Sequence, residues 1–192
     1  FMETSGTSGK AKLIPVTRSW VKSISIAQNL WVLSMLKAFP GIGKGKALTM
    51  VSPASHDATR AGIPIGSNTG RMYQEQSWWV RGKYPVPYPV FEISDTNIRQ
   101  YAFLRFALQE DITSWTTANP SMLLLLCRKL LQWQDELSKD LRAGTLRYGP
   151  AEMLAQDTRK YLEKNLRKSA VPMDWRPARI WPLNLLSCWK GG

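Results

Sequence analysis

The sequence predicts an α/β fold of layered strands and helices, and two patterns carry that expectation. Short apolar or β-branched runs at residues 12–16, 47–51 and 112–116 alternate with segments of helical period at residues 17–39, 95–108 and 119–142. Each helical segment opens on a residue type that caps helix N-termini: Thr17 or Ser19, Ser94 or Asp95, and Asn119 ahead of Pro120. With 192 residues the chain can form one large domain or two small ones around a sizeable core. No internal repeat is apparent, and the strand order does not follow from local signals.

Residues 1–4 and 12–16 read as two short strands around the stretch Thr4-Ser5-Gly6-Thr7-Ser8-Gly9-Lys10-Ala11-Lys12. Hydroxyls, glycines and lysines together are the composition of a loop that holds polyphosphate rather than of a core element. Gly6 and Gly9 let backbone N–H groups approach an anion, the hydroxyls add directional hydrogen bonds, and the lysines supply compact positive charge. It is not a Walker A loop, because the glycines lie too close together and Ala11 stands where Ser or Thr must follow the lysine.

The helix at residues 17–39 has a broad apolar face formed by Val21, Ile24, Ile26, Ala27, Leu30, Leu33 and Leu36. Pro40-Gly41-Ile42-Gly43-Lys44-Gly45-Lys46 has the look of a second phosphate loop but precedes a strand, not a helix N-terminus, and reads as a turn. His56, the chain's single histidine, has no second imidazole or serine triad around it and reads as a loop residue. Residues 60–93, rich in Gly, Pro and aromatics, form a long excursion that cannot be one helix. Its aromatic residues either wall a pocket or pack against the domain.

Beyond it, Ile98, Tyr101, Ala102, Arg105 and Phe106 recur on successive turns of the helix at 95–108. The helix beginning at Asn119 runs to residue 142, with Leu123, Leu126, Cys127, Leu130, Leu137 and Leu141 on one face and Gly144 as its C-cap. A last helix covers residues 151–168, with Met153, Leu154, Tyr161, Leu162 and Leu166 inward and a basic, solvated outer face. Residues 185–189 read as a strand. Cys127 and Cys188 sit in apolar surroundings as reduced packing residues without metal-ligand spacing.

Residues 4–12 resemble the ATP-phosphate loop of the adenylate-forming superfamily, in which a Thr-Ser-Gly-Thr-(Thr/Ser)-Gly-Lys-x-Lys run lies between two strands. Ala11 departs from that pattern, being often Pro, and Leu13 stands where the wider superfamily usually has Gly. The continuation Lys12-Leu13-Ile14-Pro15-Val16-Thr17 resembles one branch, the auxin-responsive acyl-acid amido synthetases and their bacterial relatives. The stretch from Trp133 through Asp140-Leu141-Arg142-Ala143-Gly144-Thr145-Leu146 and the segment Trp175-Arg176-Pro177-Ala178-Arg179-Ile180-Trp181-Pro182 are similar to marks of the same family.

The resemblance implies that residues 1–192 are a fragment of the large N-terminal domain of an adenylate-forming enzyme, incomplete at both ends and without its C-terminal domain. Within it lie the phosphate loop at 4–12, the excursion at 60–93 and a helical region at 95–168. Thr4, Ser5, Gly6, Thr7, Ser8 and Gly9 are the expected ATP-binding residues, and Lys10 and Lys12 the expected catalytic ones. The Ser5, Thr7 and Ser8 hydroxyls would hold the β and γ phosphates while Lys10 or Lys12 neutralises charge. ATP and Mg²⁺, a carboxylic acid substrate and an amine or amino-acid acceptor are implied, with adenine, ribose and metal residues beyond this chain. The alternative acceptor is a thiol such as coenzyme A.

Lys and Arg number 26 against 14 Asp and Glu, a net charge of +12. A basic nucleic-acid or membrane-surface binder is therefore the rival from another class. Against it, no nucleic-acid motif is present, and the longest apolar run, residues 122–127, is far too short to cross a bilayer. The expectation is a cytoplasmic monomer that binds neither nucleic acid nor membrane.

Overall fold

The computed structural model describes residues 1–4, 12–117 and 119–169, the side chain of Thr4 excepted. It is mixed α/β, and its contacts divide it into two units: residues 1–92 with 112–116, and residues 93–111 with 117 onward.

In the first unit, β1 (Met2–Thr4) pairs antiparallel with β2 (Lys12–Ile14), so that Thr4 faces Lys12 across the hairpin. On its other side β1 meets Gly66 in a parallel bridge, just after β5 (Pro64–Ile65), which pairs antiparallel with β4 (Asp57–Ala58). A separate parallel pair joins β3 (Lys46–Thr49) to β6 (Ile112–Thr116). Between the hairpin and β3 runs α1 (Arg18–Ala38), begun by Thr17, whose backbone is extended and whose Oγ1 accepts from the Trp20 N–H at 3.2 Å.

No residue of α1 is buried, and Ile26, Leu30 and Leu33 are exposed. The apolar face expected from its period is real as a sequence pattern but lacks a covering partner among the described residues. Amphipathic period selects a helix, whereas burial requires a second surface. The Gly-rich segment after α1 is a 3₁₀ turn, Pro40–Gly43, tied to the chain ahead by the Lys83 ammonium on the Gly43 carbonyl at 3.1 Å and by Thr113 Oγ1 on the Ile42 carbonyl at 2.8 Å.

The aromatic excursion contains two short helices, α2 (Asn68–Glu75), capped by Ser67, and α3 (Trp78–Arg81). Tyr73 of α2 is its centre. Its ring stacks on Tyr84 at 5.0 Å and meets Tyr88 and Phe91 at 5.7 and 5.8 Å. Its hydroxyl donates to the Val86 carbonyl at 2.8 Å, and burial pushes the phenol pKa up to about 12. These rings therefore pack against the unit with the buried Val86 and Val90, while Trp78 stands 81% exposed.

The second unit is built on α4 (Thr96–Ala107), capped by Asp95 and buried at every position from Gln100 to Ala107. Against it lie α5 (Pro120–Gln132) and α6 (Gln134–Ala143). The single helix expected over 119–142 is thus two, broken at Trp133, whose backbone leaves the helical region at φ −109°, ψ 20°. Trp133 is buried with its ring edge-on to Tyr101 at 5.6 Å and under the Lys129 ammonium, a tertiary cause that no Gly or Pro announces. Leu126, Cys127, Leu130, Leu137 and Leu141 are buried as expected.

Gly144 ends α6 in the left-handed region at φ +74°, a conformation glycine takes without strain. The helix expected over 151–168 is shorter: a 3₁₀ turn, Gly149–Met153, precedes α7 (Gln156–Glu163). Leu154 and Leu162 face inward, but Met153 and Tyr161 are exposed, contrary to expectation. After Glu163 the chain is drawn off the helical path, for the Arg167 carbonyl accepts from Arg105 Nη2 at 3.0 Å and the Ser169 N–H reaches the Leu141 carbonyl at 2.9 Å. The expected strand at 185–189 and the segment 175–182 lie outside the described residues.

Candidate functional site

The hairpin of β1 and β2 frames the hydroxyl-rich stretch, and its register makes residues 5–11 the connection closed by the Thr4 and Lys12 pair. Ser5, Gly6, Thr7, Ser8, Gly9 and Lys10 lie outside the described residues. Lys12 is exposed on β2. Three residues separate the end of β2 from the first turn of α1, so the hairpin and an N-terminus 21 residues deep in aligned peptide dipoles follow one another directly.

Beside this hairpin, a cleft of about 630 Å³ is lined by Val16, Val21 and Ile63 on its apolar side and by Arg18, Ser55 and Arg71 on its polar side. Arg71 is held in place by the Asn68 amide oxygen at 3.0 Å, by Glu75 one turn on and by the Trp20 ring under its guanidinium at 5.5 Å. Its Nε is buried without a hydrogen-bond partner.

His56 follows residues 52–54, whose backbone packs against Gly70 of α2. Its Nε2 lies 2.7 Å from Glu3 Oε2, one residue before the hydroxyl-rich stretch. Sequence reasoning placed His56 in a loop, correctly, but missed this contact. Nothing in the spacing of residues 3 and 56 signals it, because it arises from the docking of β1 against β5.

The buried ionisable groups of the second unit make a structural cluster. Asp140 is fully buried and accepts from the Tyr101 hydroxyl at 2.7 Å, Thr145 Oγ1 at 2.7 Å and the N–H groups of Arg147 and Tyr148 at 2.9 and 3.2 Å. Arg105, also fully buried, spends its donors on the carbonyls of Thr145, Asp140 and Arg167 and on Gln109. Four of the five guanidinium N–H donors are bonded within the unit, and both Asp140 oxygens accept from it, so the cluster serves the packing of the unit. Among the described residues, no group of three or more His, Cys, Asp or Glu side chains could hold a metal ion. Nor is any helix among them long and apolar enough to cross a membrane.

The described chain is mixed α/β, with a short antiparallel hairpin ahead of a long capped helix. It is similar to the solved structure "GH3.15 acyl acid amido synthetase" at a TM-score of 0.69 and 21% identity, over 88% of this chain and 30% of that one. A second similar structure, "AtGH3.15 acyl acid amido synthetase in complex with 2,4-DB", gives a TM-score of 0.65 at 18% identity, over 84% of this chain and 28% of that one. The model of the GH3 family N-terminal domain matches residues 1–192, and the chain belongs to that family. It spans about 30% of the length of the solved relatives. No curated protein matches it.

Proposed function

We propose that these residues serve an ATP-dependent acyl acid amido synthetase, with residues 4–12 as the loop that holds the polyphosphate of ATP. The observation that supports this most directly is the register of β1 and β2, which pairs Thr4 with Lys12 and so brings the two ends of the hydroxyl-, glycine- and lysine-bearing stretch side by side. Membership of the GH3 family and likeness to structures named acyl acid amido synthetases support the same reading.

In this reaction a carboxylate oxygen attacks the α-phosphorus of ATP, the bond to the β-phosphate oxygen breaks, and pyrophosphate leaves. An amine nitrogen, that of an amino acid, then attacks the acyl carbon and AMP departs with the carboxylate oxygen. The chain's own part is in the first step. The hydroxyls of Ser5, Thr7 and Ser8 and the N–H groups around Gly6 and Gly9 hold the β and γ phosphates, and Lys10 and Lys12 offset the charge that grows on the leaving group. Magnesium would supply further charge neutralisation. The described residues offer no acidic cluster for it, so this proposal assigns it no ligand here.

Residues 1–192 are, in this reading, part of the large N-terminal domain of a cytoplasmic, monomeric enzyme whose partners are ATP, a carboxylic acid and an amine rather than nucleic acid or membrane. The test is carboxylate-dependent exchange of pyrophosphate into ATP by the full-length protein. Changing Ser8→Ala together with Lys12→Ala lowers exchange by about a hundredfold or more while leaving the circular dichroism spectrum unchanged, since the two changes remove polar groups and no core side chain. Exchange at the wild-type rate would remove the loop from the mechanism. Product formation with amino acids but not with coenzyme A separates the amide-forming reading from its thiol-using neighbour.

A further inference from the structure

The hairpin that carries residues 4–12 is a slight structure. Each strand is three residues long, all of β2 is exposed, and a two-stranded hairpin of that size is marginal by itself. Its position must come from what β1 is attached to. One attachment is backbone: the Glu3 N–H donates to the Gly66 carbonyl at 3.1 Å, and the Gly66 N–H donates to the Phe1 carbonyl at 3.2 Å. The other is the Glu3 side chain on His56.

His56 is set on a firmly held piece of the unit. Its N–H donates to the Ile65 carbonyl at 3.0 Å, the Pro53 carbonyl accepts from Ser67 N–H at 3.0 Å, and the Ala54 N–H donates to the Tyr88 hydroxyl at 2.7 Å. The segment lies so close to the following backbone that a Cβ on Gly66 would fall 1.8 Å from the Ala54 carbonyl oxygen, and one on Gly70 would fall 2.2 Å from that of Ser52. Ile65 and Gly66 are thus bonded to His56 on one side and to Phe1 and Glu3 on the other. The Glu3 to His56 contact bridges over a segment that ends in a residue without a side chain.

We propose that His56 is a positioning residue for the phosphate loop: through Glu3 it anchors the strand that leads into residues 4–12. The inference rests on the reading of those residues as the polyphosphate loop. Glu3 is the first acidic residue of the chain and immediately precedes that loop. On His56 its carboxylate is held at the end of the strand that leads into those residues. Both side chains are partly exposed, at 45% for His56 and 38% for Glu3, so the tether is a modest one and its effect on kinetics is correspondingly small.

The experiment measures pyrophosphate exchange by the full-length protein with His56→Ala, His56→Gln, Glu3→Ala, the Glu3→Ala/His56→Ala double variant and the Ser8→Ala/Lys12→Ala variant. His56→Ala raises KM for ATP and for pyrophosphate about two- to fivefold and leaves KM for the carboxylic acid unchanged. His56→Gln, whose amide N–H can still donate to Glu3, restores the wild-type values. The double variant is no worse than either single one, because both remove the same contact. A general loss of folded protein would instead lower kcat and leave the KM values alone. Unchanged KM for ATP and pyrophosphate in His56→Ala, failure of Gln to rescue, or additive single effects would overturn the tether. If Ser8→Ala/Lys12→Ala abolishes exchange while His56→Ala is silent, the tether alone is wrong. If both leave exchange intact, the loop reading has failed and the tether with it.

Discussion

Replacing Asp140 by alanine is the substitution that most damages the second unit. Its carboxylate is fully buried and holds the hydroxyls of Tyr101 and Thr145 and the N–H groups of Arg147 and Tyr148, so it fastens α6 to α4 and closes the turn after Gly144. Burial drives the Tyr101 phenol far above its ordinary range, and the neighbouring Asp140 charge adds to that, so the hydroxyl stays a donor. Burial also pulls the Arg105 pKa down while Asp140 opposes the shift. Asp140→Ala strands these donors and leaves the Arg105 guanidinium buried without that countercharge. Removing one partner from such a group costs about 3–5 kcal/mol. Asp140→Asn, which keeps one acceptor oxygen, costs about 2 kcal/mol, and Tyr101→Phe, which deletes a single donor, about 1 kcal/mol. Hydrogen exchange read peptide by peptide isolates this unit from the rest of the protein. Protection of the α4 and α6 amides falls about a hundredfold or more in Asp140→Ala, since each ~1.4 kcal/mol is a factor of ten. Protection within tenfold of wild type, or a Tyr101→Phe effect as large as that of Asp140→Ala, would refute the reasoning.

Three further outcomes are expected. Gly66→Ala places a Cβ against the Ala54 backbone carbonyl, which cannot move cheaply, and lowers stability by about 2–3 kcal/mol in thermal melts, whereas Gly41→Ala, with nothing near its Cβ position, is close to neutral. Glu163 titrates below the ordinary carboxylate range: partial burial pushes it up, but the Arg147 side chain, the Leu146 N–H and the charges of Arg147 and Arg159 outweigh that. Its folded pKa is therefore below its unfolded one, so the stability it adds is complete above about pH 4.3 and is lost as pH falls through the folded value. In acid titrations monitored by circular dichroism, Glu163→Gln flattens that part of the slope. Cys127 is buried, and burial raises its thiol pKa. Iodoacetamide at neutral pH, read by peptide mass spectrometry, leaves it unlabelled in the native protein and modifies it in urea.

Where structure is set by a few adjacent residues, the sequence was legible. Thr17, Asp95 and Asn119 each cap the helix expected of them, Gly144 ends α6 with positive φ, and residues 112–116 form the strand their β-branched side chains favour. Where distant residues decide, it was not. The break at Trp133 is made by the ring of Tyr101, and the early end of α7 by the Arg167 carbonyl drawn to Arg105 and the Ser169 N–H drawn to the Leu141 carbonyl, none of which leaves a mark at the site of the break. The aromatic excursion is an intermediate case. Its composition excluded one long helix, but only the stacking of Tyr73 with Tyr84, Tyr88 and Phe91 decides that these rings pack inward, while Trp78 does not.

The candidate site divides along the same line. Residues 4–12 could be read as a polyphosphate loop because the binding groups are contiguous: hydroxyls, glycines and lysines act together only when a single turn presents them. Their support could not, because it comes from Gly66, from Ile65 and from His56, more than forty residues away along the chain. The asymmetry has a physical origin. A loop that grips a small, highly charged group needs little more than its own backbone and side chains, but a loop that must hold that group still against an attacking carboxylate needs a fixed base. Short exposed strands such as β1 and β2 do not supply one. β1 is instead fixed through a glycine that lets two backbones approach and through a modest side-chain contact across it, so Gly66 and His56 are where its attachment is open to substitution.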